Sequence, residues 1–197
     1  MAKELVINTT SHETRISLLE SGHIAELYIE RNRELGIVGN IYRGRVIRVL
    51  PGMQAAFVDI ATPKNAVLYR SDVQYDPADI EVKGKNPRIE DILKNKQLIT
   101  CQVTKNTIAH KGARLTQEVS LPGRFVVLIP NSKTYGISKR LPDDVRKLLR
   151  GILDRVKPDE HGLIVRTAGA QRTKTEIKRD YDYLLRMWES VRDLTLN

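Results

Sequence analysis

Arg166 and Thr167 are residues whose types and placement could do chemistry. They end the run "GLIVRT", in which Leu163, Ile164 and Val165 read as a short buried strand, and Ala168, Gly169 and Ala170 come directly after them. A guanidinium is a planar fork of donors that matches phosphate oxygens, and a threonine hydroxyl adds one more. Neighbours on a regular strand face opposite ways. The two can therefore meet one ligand only where the backbone turns directly after them, and the Ala-Gly-Ala run permits that turn. Each charge-assisted hydrogen bond is worth roughly 1.5–3 kcal/mol. A terminal phosphate monoester, with more charge than an internal diester, is the preferred ligand. The plainer reading pairs Arg166 with a nearby carboxylate, Asp159 or Glu160, and on these residues alone it is the stronger of the two.

A second group lies earlier. Arg43, Arg45 and Arg48 sit on or beside one β-rich run, Phe57 on the next, and Lys111 and Arg114 bracket the entry to a later one. Cations tracking a groove, with an aromatic face for stacking, are how small barrels hold single-stranded nucleic acid. A base stacked on an aromatic contributes about 1–3 kcal/mol, and the ionic part fades with salt. The alternative for Phe57 is an ordinary core residue, and position alone tilts toward that. Asp59 beside it reads as a turn or hydrogen-bond acceptor.

These residues need elements to hold them. Residues 1–36 alternate apolar and polar positions in three runs separated by "NTTSHET" and "ESGH", which predicts a three-stranded meander. Such a meander is too thin to bury both faces. Residues 37–119 hold five β-rich runs, "IVGNIYRGRVIRVL", "MQAAFVDI", "NAVLYR", "QLITCQVTKN" and "ARLTQEVSL". A polar connection of some 25 residues precedes the fourth. Five short strands with one long connection predict a closed barrel of the OB-fold type, with Gly44 where a strand bends sharply. Residues 120–197 change character. "RFVVLIPN" and "YGISKR" read as strands, and Val145, Leu148, Leu149, Ile152, Leu153 and Val156 form a helical stripe after Pro142. The strand of Arg166 comes next. A second helix completes the chain, opened by a Thr173/Glu176 capping box, with Ile177, Tyr181, Leu184, Leu185, Trp188 and Val191 as its apolar stripe. The fold class is α+β: meander, five-stranded barrel, then a small α+β domain.

Charge agrees with a polyanionic partner. Thirty-three Lys and Arg against 24 Asp and Glu leave +9, a balance that favours nucleic acid. No apolar run reaches the length of a membrane span. Cys101 is alone, so a disulfide framework and a cysteine-based zinc site are excluded. The opening "MAKELVINTT" lacks the pattern of a signal peptide, and a cytoplasmic protein is expected.

"GNIYRGRVIRVLPGMQAAFVDI" resembles the start of the RNA-binding barrel of the ribonuclease E/G family, and "HKGARLTQEVSLPGRFVVLIPN", "YGISKR" and "GLIVRTAG" resemble its next signature stretches. The resemblance is collinear to about residue 190. It implies the RNA-binding and 5′-sensing portion of an endoribonuclease that processes and degrades single-stranded RNA, preferring 5′-monophosphorylated ends. Residues 1–36 would then belong to a split ribonuclease H-like fold, 37–119 to an S1-type OB barrel and 120–197 to the 5′-sensor. Arg166 and Thr167 match the sensor's phosphate contacts, and Gly123 and Val127 match positions where backbone amides can add donors. Phe57 and Lys111 match residues that grip RNA. Lys139 and Arg140 stand where the family is also basic.

The sequence departs from that family at several points. Ala61 replaces a usual glycine after "FVD", and Val67 occupies the place of a second stacking aromatic, for which Tyr69, two residues on, is a candidate substitute. The resemblance implies magnesium, and possibly zinc, for the full-length parent, with catalytic carboxylates expected beyond Asn197 and homo-oligomerisation. It assigns no catalytic and no metal residue to this chain. Asp143, Asp144, Asp180 and Asp182 read as helix-capping or surface acids. Two other readings remain: a stand-alone, non-catalytic RNA-binding regulator, and a scaffold using the meander's β-edge.

Overall fold

The computed structural model describes residues 2–31, 36–76, 87–107, 111–156 and 160–196, with the backbone alone for 195 and 196. Its contacts divide the chain into two units, Met1–Ile37 and Val38–Asn197.

The first unit is the meander. Strands β1 (Lys3–Thr9), β2 (Glu13–Glu20) and β3 (His23–Arg31) pair antiparallel in sequence order. Ser21 and Gly22, both at positive φ, make the two-residue turn between β2 and β3, the backbone form that suits the twist of a tight hairpin. Leu5 faces Leu18, and Ile16 lies between Ile7 and Tyr28. Along β1 and β3 every residue stays exposed.

The second unit opens with the barrel. Strands β4 (Ile41–Leu50), β5 (Ala55–Asp59), β6 (Ala66–Tyr69), β7 (Leu98–Lys105) and β8 (Arg114–Thr116) close in the order β4-β5-β6-β8-β7. Strand alternation turns Val46, Ala56, Val58, Leu68, Cys101, Val103 and Leu115 inward, none more than 1% exposed. Burial pushes the Cys101 thiol up to about 11. The long connection includes a single helical turn, α1 (Ile89–Ile92), whose Ile89 is fully buried. Gly44, where a sharp bend was expected, lies next to Arg45, at which β4 passes from pairing with β7 to pairing with β5. A side chain at position 44 would come within 2.5 Å of Val58 Cγ1, so glycine permits close interior packing. The register shift of β4 falls later, between Val46 and Arg48.

The remainder is an α+β layer. Strands β9 (Leu121–Pro122), β10 (Val126–Pro130), β11 (Tyr135–Ile137) and β12 (His161–Val165) form a sheet in the order β11-β12-β10-β9. Helices α2 (Asp143–Val156) and α3 (Lys174–Leu196) pack with it around Val126, Leu128, Leu163, Val165, Ile177 and Leu184. The capping box of α3 is formed: the Thr173 amide donates to Glu176 at 2.9 Å, and the Glu176 amide donates to Thr173 Oγ1 at 3.3 Å. Those bonds from Thr173 hold the Glu176 carboxyl below the ordinary carboxylate range. One residue of the α2 stripe is displaced from the core. Leu148 is 73% exposed, because it lies at the edge of an arc centred on Leu149 and Leu153, and the sheet does not reach it.

Candidate nucleic-acid interface

The outer face of the barrel carries a row of side chains that the register places side by side. Arg48 on β4 pairs with Phe57 on β5, Phe57 with Val67 on β6, Val67 with Arg114 on β8, and Arg114 with Lys105 on β7. Residues directly opposite one another share a face, and this face points outward because Ala56, Val58, Leu68 and Leu115 fill the interior. The row therefore reads cation, aromatic, aliphatic, cation, cation. Phe57 is half-buried and lies outside the barrel core, so the ordinary core reading of it fails. The bulge after Val46 brings Arg48 beside Phe57: it inserts Ile47 and leaves Arg48 in register with the ring.

A groove of about 690 Å³ runs past this row, lined by Phe57, Val67, Tyr69, Lys111 and Arg114, among others. Ala55 and Ala56 also contribute to its lining. Lys111 is held at the rim by its neighbour. A Cβ on Gly112 would lie 1.9 Å from the Asn65 carbonyl oxygen, so only glycine allows β6 and the approach to β8 to touch. Tyr69 pairs with Ala55, whereas Phe57 pairs with Val67; the two rings are thus diagonal neighbours. The Arg114 guanidinium stands 5.1 Å from the centre of the Tyr69 ring and is tethered to Asp72 at 2.9 Å. Arg43 and Arg45 are exposed on β4, opposite Thr100 and Leu98 of β7. They do not line this groove.

Ala61 comes two residues after the end of β5 with φ +58, and its amide donates to Asp59 Oδ1 at 2.8 Å. The left-handed backbone that favours glycine is kept here with an alanine in place, and Asp59 is the turn acceptor its position implied.

The second group lies where β12 ends. The amide of Arg166 donates to the Phe125 carbonyl at 2.8 Å, and its guanidinium donates to the Gly123 carbonyl. Thr167 then opens a 3-10 turn over Thr167–Gly169, so the chain does turn immediately after the pair. Packing explains why a residue without a side chain stands in that turn: a Cβ on Gly169 would sit 2.8 Å from Val165 Cγ1 and 3.2 Å from the Phe125 oxygen. Arg166 and Thr167 are exposed. Among the described residues no carboxylate pairs with Arg166, and Asp159 lies outside them. The Gly123 amide donates to the Val126 carbonyl at 2.8 Å, and Val127 sits mid-sheet opposite Ile164 and Pro122. Lys139 and Arg140 leave β11 beside this end, since Ile137 pairs with Val165 and the Ser138 amide reaches the Val165 carbonyl at 2.8 Å.

Asp180 is not the helix-capping or surface acid that the sequence suggested, because it binds backbone far along the chain. Its carboxylate accepts from the amides of Arg124 at 3.2 Å, Phe125 at 2.7 Å and Val126 at 3.0 Å. Its position three residues after Ile177 and one before Tyr181, both buried, was the available signal. That spacing puts it at the edge of the helix's packed face. Asp143 and Asp182 are surface acids as expected, paired with Arg146 and Lys178 at 2.8 Å each. Among the described residues no three His, Cys, Asp or Glu side chains gather as a metal site, and no helix is long and apolar enough to cross a membrane.

Fold and surface together define a protein built on a closed five-stranded barrel with a cation-and-aromatic outer row, joined to an α+β layer. Residues 120–196 match the Ribonuclease E/G family. Ribonuclease G of Haemophilus influenzae is 39% identical over 199 residues, covering 96% of this chain and 40% of that protein. Ribonuclease G of Escherichia coli is 39% identical across 97% of the chain and 40% of its own length. Ribonuclease E of Haemophilus influenzae is 37% identical across 96% of the chain and 21% of its own length. The likeness to the ribonuclease E/G family thus runs through the barrel as well as the α+β layer. The chain spans about 40% of the length of the Ribonuclease G relatives.

Proposed function

We propose that the chain is the RNA-binding and 5′-monophosphate-sensing portion of a magnesium-dependent endoribonuclease acting on single-stranded RNA. The observation that carries this reading is the Arg48–Phe57–Val67–Arg114 row beside its groove, in a chain whose relatives are named ribonucleases. A base stacks on Phe57, while Arg48, Lys105 and Lys111 track the phosphates. Stacking contributes about 1–3 kcal/mol per base and tolerates sequence. The ionic part weakens as salt displaces it. At the end of β12, the exposed Arg166 guanidinium and Thr167 hydroxyl offer charge-assisted and neutral donors to a terminal phosphate.

Magnesium has no seat among the described residues, because no acidic cluster forms there. No step of hydrolysis is therefore assigned to these side chains. Their contribution is to bind, to stack and to recognise an end.

The test is binding of a short single-stranded RNA carrying a 5′-monophosphate against its 5′-hydroxyl twin. The native chain should prefer the monophosphate, and Arg166→Ala should erase the difference. Equal affinity of the native chain for the two would overturn the sensing half of the proposal and leave the barrel half standing.

A further inference from the structure

We infer that Asp180 is a positioning residue of the end-recognition site: its carboxylate gathers the Gly123–Val126 turn so that the Arg166 guanidinium is held ready for a phosphate. The inference rests on the sensing function proposed above. Three successive amides, those of Arg124, Phe125 and Val126, converge on one carboxylate. Successive amides aimed at one point make an anion-binding concavity, and here the protein supplies the anion itself. Those donors are consequently spent on Asp180 and not on a ligand.

The gathered turn has two connections to Arg166. The Phe125 carbonyl receives the Arg166 amide at 2.8 Å, which fixes the backbone at the strand's end. The Gly123 carbonyl receives the Arg166 guanidinium, which fixes the fork. Arg166 is exposed and has no carboxylate partner among the described residues. Its orientation therefore depends on the turn, and the turn depends on Asp180. Gly123 adds an independent sign of the same arrangement. A Cβ there would lie 2.6 Å from Asp180 Oδ2, so glycine is what lets the carboxylate approach. A side chain at 123 would expel the carboxylate or move the turn.

The placement of Asp180 is itself over-determined. Ile177, Tyr181 and Leu184 bury one face of α3 against the sheet, so the backbone that carries Asp180 is held in place. A carboxylate on a rigid helix thereby holds a loop that would otherwise rely on the short pairing of β9 with β10.

The experiment measures affinity of the full chain for 5′-monophosphate and 5′-hydroxyl forms of one short single-stranded RNA, together with thermal stability. Asp180→Asn keeps the size of the side chain but removes its charge and turns a donor toward at least one of the three amides. It should remove most of a preference of roughly ten-fold or more, while 5′-hydroxyl affinity, set by the barrel, stays within about two-fold. Gly123→Ala, which displaces the carboxylate without changing any charge, should produce the same loss and serves as the second variant if Asp180→Asn fails to fold. A native preference that survives either folded variant would overturn the inference while leaving the sensing function intact. A parallel fall in both affinities with lowered stability would overturn it too, since that marks a merely structural acid. Absence of any preference in the native chain would sink the sensing function, and this inference with it.

Discussion

The barrel face and the loop after β12 present the same kinds of side chain but are assembled by opposite means. On the barrel, Arg48, Phe57, Val67 and Arg114 come from four strands and meet because ladder register puts them abreast. Each residue's outward direction is set by the burial of its neighbours, so the row is as rigid as the barrel itself. At the end of β12, Arg166 leaves regular structure and is oriented by carbonyls of a turn, which is in turn held by Asp180. A regular lattice makes an extended, sequence-tolerant surface. A turn tied down by a few hydrogen bonds presents a single guanidinium, and its placement is more easily lost.

Four perturbations break or sharpen that contrast. The largest effect should come from Gly112→Ala, because the new Cβ meets the Asn65 oxygen at 1.9 Å. Forcing β6 and β8 apart should cost roughly 3 kcal/mol and weaken all RNA binding, seen in denaturant unfolding and in filter binding. Survival of both would show that the barrel row does not depend on that contact. Next, Phe57→Ala should reduce affinity by about 1–3 kcal/mol equally for 5′-monophosphate and 5′-hydroxyl RNA. A selective loss of one would mean that the two regions are one site.

Alkaline pH, with Cys101→Ala as the control, probes the barrel interior. Because burial raises the Cys101 thiol from 9.0 to about 11, the folded state keeps its proton where the unfolded state has lost it. That contribution is fully present below the unfolded value and disappears as pH rises through the folded one, at up to about 1.4 kcal/mol per unit. Cys101→Ala should flatten this part of a stability–pH profile; an unchanged profile would refute the assignment. The smallest effect is a gain. Ala61 holds φ +58, and Ala61→Gly should stabilise the chain by about 0.5–1 kcal/mol, read as a higher melting temperature with RNA affinity unaltered.

Much of the architecture was legible in the bare chain. The meander, the five strands of the closed barrel and the two helices come from apolar periodicity, and the Thr173/Glu176 cap from its spacing. The site was legible in its chemistry more than in its membership. Phe57, Lys111 and Tyr69 line one groove, whereas Arg43, Arg45 and Arg48 do not, and of these three only Arg48 is in register with the ring. That exchange hinges on one inserted residue at Ile47, and a bulge leaves no mark in the alternation of polar and apolar letters. Leu148 shows the same limit on a helix: periodicity assigned it to the stripe, but the extent of the opposing sheet left it in solvent.

By itself the sequence determined the order of elements, the kinds of functional group available and the arginine at the end of the Leu163–Val165 strand, because these depend on local periodicity and on residue chemistry. Only the tertiary structure decided which cations stand by the aromatic and that Asp180 holds the Gly123–Val126 turn. The bonds that do so join residues 54 to 56 positions apart. Their existence is set by how α3 packs on the sheet, a long-range outcome that no short stretch of chain encodes.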